Sequence, residues 1–147
     1  MEKVYEIHEV EVIYKRPKIS SMPIIRNCVD VVDIFRELIT IDKIDLKEFF
    51  MVGLLSQSNH LLGISKIGIG STGETQVNVK EIIQLAIKTN ASGIILCHNH
   101  PSGCLRPSTS DLKVTRKIKE VCNCCDISLL DHVIISSEGY YSFIDEI

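Results

Sequence analysis

Between Glu48 and Ile144, short apolar runs of strand length alternate with stretches whose apolar residues recur at helical spacing. Strands interleaved with helices bury their apolar faces by stacking into an α/β layer fold, so this alternation constrains the architecture most. Glu48 to Leu55 is nearly all apolar and predicts a buried strand. The turn Ser56-Gln-Ser-Asn59 returns it as a second strand, His60 to Gly70, in a hairpin. Asn78 can cap a helix that presents Val79, Ile82, Ile83, Ala86 and Ile87 on one face, with Glu81 placed as in a capping box. Ile94 to Cys97 suits an interior strand, His98 to Pro107 a loop, and Ser108 to about Cys124 a helix. Ile127 to Ser136 and Tyr140 to Ile144 close the chain as a hairpin around Glu138-Gly139.

Upstream, Asp30 to Thr40 reads as a helix with Val31, Ile34, Phe35 and Leu38 at helical spacing. Val4 to Tyr14 alternates, with Val10, Val12 and Tyr14 on one side, and predicts a strand. Pro17 to Pro23 is an irregular connection. The expected organisation is an N-terminal arm, residues 1–28, followed by one domain, 29–147. A chain of 147 residues that is 45% hydrophobic suits one compact domain. At this length about two-thirds of the unfolded surface can be buried.

The net charge of −3 gives no global positive field for a polyanion. No apolar stretch approaches the roughly 20 residues that cross a bilayer. The opening residues carry Glu2, Glu6, His8 and Glu9 rather than a basic and then apolar leader. A soluble, cytoplasmic domain without a membrane partner is the expectation. In a reducing compartment Cys28, Cys97, Cys104, Cys122, Cys124 and Cys125 stay free. Cys122-Asn-Cys-Cys125 has no spaced C-x-x-C partner, so these thiols are expected to pack rather than to bind a second metal.

Chemistry concentrates in Cys97-His-Asn-His-Pro-Ser-Gly-Cys-Leu-Arg-Pro-Ser-Thr-Ser-Asp111. In extended chain, His98 and His100 point to one side with Cα atoms about 6.5 Å apart, so both rings can reach one ion. Asn99 faces away and is free to hold the backbone. Pro101 and Gly103 turn the chain, and Asp111 falls in the first turn of the following helix, where its carboxylate could be a third ligand. Two His and one carboxylate leave a position open on tetrahedral zinc, the pattern of a catalytic site. An open ion lowers the pKa of bound water to about 7 and polarises a carbonyl. Ser108 and Asp111 also form a capping box, and on spacing alone Asp111 could cap, ligate or do both.

The pattern H-x-H-P followed by S-x-x-D resembles the JAMM motif of JAB/MPN-domain metalloproteases. More closely, Ile94 to Gly103 and Leu130-Asp-His-Val-Ile-Ile135 resemble RadC, a bacterial family historically labelled as DNA repair, over about Leu46 to Phe143. The resemblance implies a JAB/MPN-type α/β fold, a cytidine-deaminase-like layered architecture with a mixed, curved sheet flanked by helices. It implies Zn²⁺ as cofactor, with His98, His100 and Asp111 matching the ligands. Glu48 matches the upstream glutamate that takes the proton from metal-bound water and passes it to the leaving amine. Ser108 matches the serine that stabilises the oxyanion. His132 matches a RadC position without an assigned role, and core packing is preferred for it over support of the metal. RadC proteins commonly carry an N-terminal helix-hairpin-helix region, for which this chain is too short. JAMM deubiquitinases usually have Ser or Thr where Asn99 stands, so their isopeptidase specificity is not implied.

The leading expectation is a zinc-dependent metallopeptidase or isopeptidase acting on an unknown peptide or protein. One alternative is a RadC-like DNA repair accessory that binds nucleic acid through Lys113, Arg116, Lys117 and Lys119, although such a run more often forms a solvated helix face. Another is a catalytically silent MPN scaffold. Zinc nucleobase deaminases need H-x-E and P-C-x-x-C, which are absent, and His-Asn-His is not the dispersed set of an HNH nuclease.

Overall fold

A computed structural model of the chain describes residues 4–70 and 76–144. Helix α1 (Cys28–Leu38) begins two residues earlier than the apolar spacing predicts. The reason is Asn27, whose side-chain oxygen accepts from the backbone N–H groups of Val29 and Asp30 and so closes the first turn. A single turn, α2 (Ile41–Ile44), follows, too short to show a helical period. Strand β1 (Glu48–Leu55) and strand β2 (Leu61–Gly70) form the expected antiparallel hairpin. Asn59, at φ 59°, supplies the left-handed residue of their turn.

Helix α3 (Val79–Lys88) is capped by Asn78, which accepts from the Glu81 N–H. Then come β3 (Gly93–Asn99), α4 (Thr109–Cys124), β4 (Ser128–Ile135) and β5 (Tyr140–Ser142). The strands form one open, mixed sheet in the order β2-β1-β3-β4-β5. Among the described residues, only β3 and β4 run parallel. Parallel neighbours need a crossover, and α4 provides it. Its first turn therefore starts beside the C-terminal end of β3. Register shifts at Phe50/Met51, Leu54/Leu55 and Ile94/Ile95 are bulges that add local twist.

The sheet separates two cores. Phe50, Val52, Leu54, Ile94 and Leu96 pack with Ile82 and Ala86 of α3 and Ile118 and Cys122 of α4. On the other face Phe49, Met51, Leu55, Ile95, Cys97, Val133 and Ile135 pack with Val31, Val32 and Phe35 of α1 and Ile44 of α2. All six cysteines are free; Cys122 is buried as expected, while Cys124 and Cys125 are exposed. Among the described residues, no helix is long and apolar enough to cross a membrane.

The strand expected over Val4 to Tyr14 does not form. Alternation makes a strand only when a sheet edge offers hydrogen bonds and an apolar face to cover. Here Val4, Ile7 and Val10 stay at least 90% exposed. Glu11, Val12 and Ile13 instead line a groove of about 670 Å³ with Val79, Ile83 and Ile87 of α3.

Candidate metal centre

His98 is the sixth residue of β3, and its alternation with Leu96 directs the ring to the face covered by α4. The ring is fully buried and stacks on Phe50, centroids 5.6 Å apart at 16°. His100 lies just beyond the strand. Its Nδ1 is 2.6 Å from the Cys104 carbonyl oxygen. A carbonyl only accepts, so Nδ1 carries the hydrogen, and a neutral His100 ring turns its Nε2 lone pair inward. The loop reaches back this way because Gly103, at φ 80°, donates its N–H to the His100 carbonyl.

Asp111 arrives from α4. Its Oδ2 accepts the Ser108 N–H at 2.7 Å, while its own N–H donates to Ser108 Oγ at 3.0 Å, a complete capping box. The same carboxylate faces both rings. Oδ1 is 3.2 Å from His98 Nε2 and Oδ2 is 3.4 Å from His100 Nε2. Capping and facing the rings are thus compatible, because the side chain has two oxygens with several lone pairs. The two Nε2 atoms are 2.9 Å apart.

The electrostatics match this geometry. Burial alone would raise the Asp111 carboxyl, but the His100 and His98 rings and the Ser108 amide hold it well below the usual carboxylate range. The Asp111 carboxylate raises His100, against the opposing effect of burial. His132 is driven well below the ordinary imidazole value, first by burial and then by His98.

Ligands about 2.0–2.1 Å from a tetrahedral ion stand roughly 3.3 Å from one another. The two Nε2 atoms stand 2.9 Å apart, and separate oxygens of Asp111 lie 3.2 Å from one and 3.4 Å from the other, so small movements bring one oxygen and both nitrogens to that spacing. Among the described residues, His98, His100 and Asp111 form the one His/Cys/Asp/Glu group able to hold a metal ion. Two imidazole nitrogens and a carboxylate oxygen suit zinc chemically.

A cleft of about 770 Å³ opens on this cluster; Glu48, Phe50, His100, Ser108 and Asp111 line it. Glu48 starts β1. Phe50, two residues on, pairs with His98, and the Glu48 charge acts on His100. Asn99 faces the opposite side, as its place in the strand predicts, and fixes this end of β1. Its Nδ2 donates to the Ile44 and Lys47 carbonyls, both at 2.7 Å, and its Oδ1 accepts the Phe49 N–H at 2.8 Å. The backbone on both sides of Glu48 is thereby tied to the residue between the two histidines.

His132 is not mere packing. Its Nε2 lies 2.7 Å from His98 Nδ1, and its Nδ1 lies 2.7 Å from Thr115 Oγ1. Phe143 stacks on its other face, centroids 4.7 Å apart at 13°. The expected core position holds, and with it come polar partners: a buried imidazole needs them for its nitrogens, and here they lead through His98 to the His-His-Asp group. Thr115 went unrecognised in the sequence, although a Thr one turn after a candidate ligand on the buried face of α4 is a usable signal.

Residues 25–147 match the RadC-like JAB domain family. The chain belongs to that family. It is 42% identical over 99 residues to a UPF0758 protein of Flavobacterium johnsoniae, covering 67% of this chain and 43% of that protein. It is 39% identical over 128 residues to a UPF0758 protein of Desulfitobacterium hafniense, covering 86% of this chain and 56% of that protein. This RadC-like chain thus spans about half the length of these relatives. Its JAB-type sheet carries the His-His-Asp group at the end of β3.

Proposed function

We propose that this RadC-like domain is a zinc-dependent hydrolase of a peptide or isopeptide bond. The observation that carries the reading is the convergence of His98, His100 and Asp111, their ligand atoms within 4.8 Å of one another, at a cleft lined by His100 and Asp111 together with Glu48 and Ser108. Zinc held by these three residues would polarise the amide carbonyl and acidify water. Glu48, which lines the cleft, would take a proton from the attacking water and return it to the nitrogen as the C–N bond breaks, giving a carboxylic acid and an amine. The Ser108 Oγ receives the Asp111 N–H as a cap, and its own hydroxyl hydrogen remains available to an oxyanion in the cleft.

Metal analysis of the purified chain, followed by a peptide-library cleavage screen with and without chelator, tests the reading. Stoichiometric zinc and chelator-sensitive cleavage that Glu48→Gln abolishes are expected. A chain that binds no divalent metal under any loading condition would end the proposal. A nucleic-acid partner has one observation in its favour, since Lys113 and Lys117 line the same cleft. DNA affinity that falls with salt would support it, and salt-independent or absent binding would remove it.

A further inference from the structure

Behind the ligand cluster, away from the cleft, hydrogen bonds run from α4 through β4 to β3. Thr115 Oγ1 is 2.6 Å from the Asp111 carbonyl oxygen and 2.7 Å from His132 Nδ1. His132 Nε2 is 2.7 Å from His98 Nδ1. Thr115 is 5% exposed, and His132 and His98 are fully buried, so each polar atom depends on its protein neighbour.

The direction of these bonds follows from which atoms own a hydrogen. Two oxygens at 2.6 Å need one between them, and a carbonyl brings none, so the Thr115 hydroxyl donates to Asp111. That leaves Thr115 Oγ1 only lone pairs for His132, whose Nδ1 must carry the hydrogen. A neutral imidazole protonated at Nδ1 has a lone pair at Nε2, which accepts from His98 Nδ1. A neutral His98 then presents a bare Nε2 to Asp111 and His100. With the two imidazole bonds reversed, the hydrogen of a neutral His98 would sit on Nε2 and block a metal.

We propose that Thr115 and His132 are positioning residues of the metal centre: the Thr115 hydroxyl, anchored on the α4 backbone, sets the tautomer of His132 and thereby frees His98 Nε2 for a divalent cation. The proposal rests on reading the cleft as a metal site. Asp111 acts twice, its carboxylate facing the rings and its carbonyl, one helical turn before Thr115, orienting the support behind them. Stacking of Phe50 on His98 and of Phe143 on His132 fixes both ring planes, so neither imidazole can turn to exchange its nitrogens without breaking packed contacts.

Zinc affinity, measured by competition with a chromophoric chelator, tests this on the full chain and three variants. Thr115→Val keeps the shape and removes the hydroxyl; it should weaken zinc about 10–100-fold, as should His132→Phe. Thr115→Ser retains the hydroxyl and should restore wild-type affinity. Equal zinc binding by wild type and Thr115→Val would overturn the proposal. Long-range ¹H–¹⁵N spectra of the metal-free wild type give a second readout independent of how the variants fold. His132 should appear as the Nδ1–H tautomer, and the Nε2–H tautomer would overturn the proposed direction. Failure of the wild type to bind zinc, with His132 as the Nδ1–H tautomer, would sink the hydrolase reading and the role toward a cation together. Wild-type binding with an unaffected valine variant would sink only the positioning role.

Discussion

The two faces of β3 and β4 carry polar groups at adjacent positions, yet they do opposite things. Toward α1, Cys97 and Asp131 meet Cys28; toward α4, His98 meets Asp111 and His132 meets Thr115. Asp131 and Asp111 are nearly equally buried, 5% and 9% exposed. Every neighbour of Asp131 brings a hydrogen: its Oδ1 accepts the His132 N–H and its Oδ2 the Ser142 hydroxyl, both at 2.7 Å. Burial raises its carboxyl, which Ser142 and the His132 amide only partly counter. Burial, then Asp131, pushes the Cys28 thiol up to about 11, and burial raises Cys97. These thiols stay protonated, and the cluster is closed and inert. Asp111 instead faces two ring nitrogens, both of which turn lone pairs to it when the rings are neutral and His98 is the Nδ1–H tautomer inferred above. A buried polar cluster short of hydrogens invites a cation, whereas one with hydrogens to match its acceptors holds a fold together.

The largest effect should separate the two faces outright. His98→Ala and Asp111→Ala are expected to abolish stoichiometric zinc in metal analysis. Asp131→Asn, which keeps an acceptor for the His132 N–H, should retain it. Zinc lost from Asp131→Asn, or kept by both ligand variants, erases the contrast.

Within the α4-side cluster, holding the ion and using it can be pulled apart. Glu48→Gln should keep zinc and lose on the order of 10²–10⁴ in hydrolytic rate. Ser108→Ala should lose about 10²–10³ in rate and, through the lost cap, about 1 kcal/mol in denaturant unfolding. Parallel loss of zinc and rate in Glu48→Gln would place Glu48 among the ligands instead.

Asn99 sharpens the comparison from the other side of the strand. Removing its side chain in Asn99→Ala leaves the Phe49 N–H and the Ile44 and Lys47 carbonyls without their partner. Each buried group left unsatisfied costs about 1–3 kcal/mol, so urea unfolding should shift markedly while zinc stays bound. Unchanged stability would show that Asn99 does not hold this end of β1.

The smallest effect is in pH. In the metal-free chain Asp111 raises His100 above its ordinary 6.5. The protonated ring therefore adds stability fully present below that value and lost as pH rises through the raised one. Asp111, lowered from 3.8, contributes stability present above 3.8 and lost as pH falls. The contribution of this pair to the Tm of the metal-free chain should be highest between the two and fall on the alkaline side. Zinc displaces the proton, so the loaded chain should lack that alkaline fall. His132, lowered by burial, acts in the opposite sense near neutral pH, so the pair is read as wild type against Asp111→Asn: a wild-type advantage that fails to shrink as pH rises contradicts the His100–Asp111 pairing.

Much of the fold was legible because it is written in local periodicities. The β1–β2 hairpin, the Asn78-capped helix and the strand–loop–helix around the histidines each follow from near neighbours. The arm misled because Val10, Val12 and Tyr14 share a strand's alternation without a strand's environment. The one-turn α2 has no period to read. At the site, His98, His100 and Asp111 were visible from spacing and resemblance, whereas the role of His132 was not.

By itself, the sequence determined the order of strands and helices, the ligand types and the cap that starts α4, because these depend on residues a few positions apart. Only the tertiary structure decided that Thr115 and His132 stand behind His98, and that Asn99 ties β1 to the histidine loop. Those contacts join residues 17 to 55 positions apart, and hydrogen-bond direction is settled only when donor and acceptor meet in space.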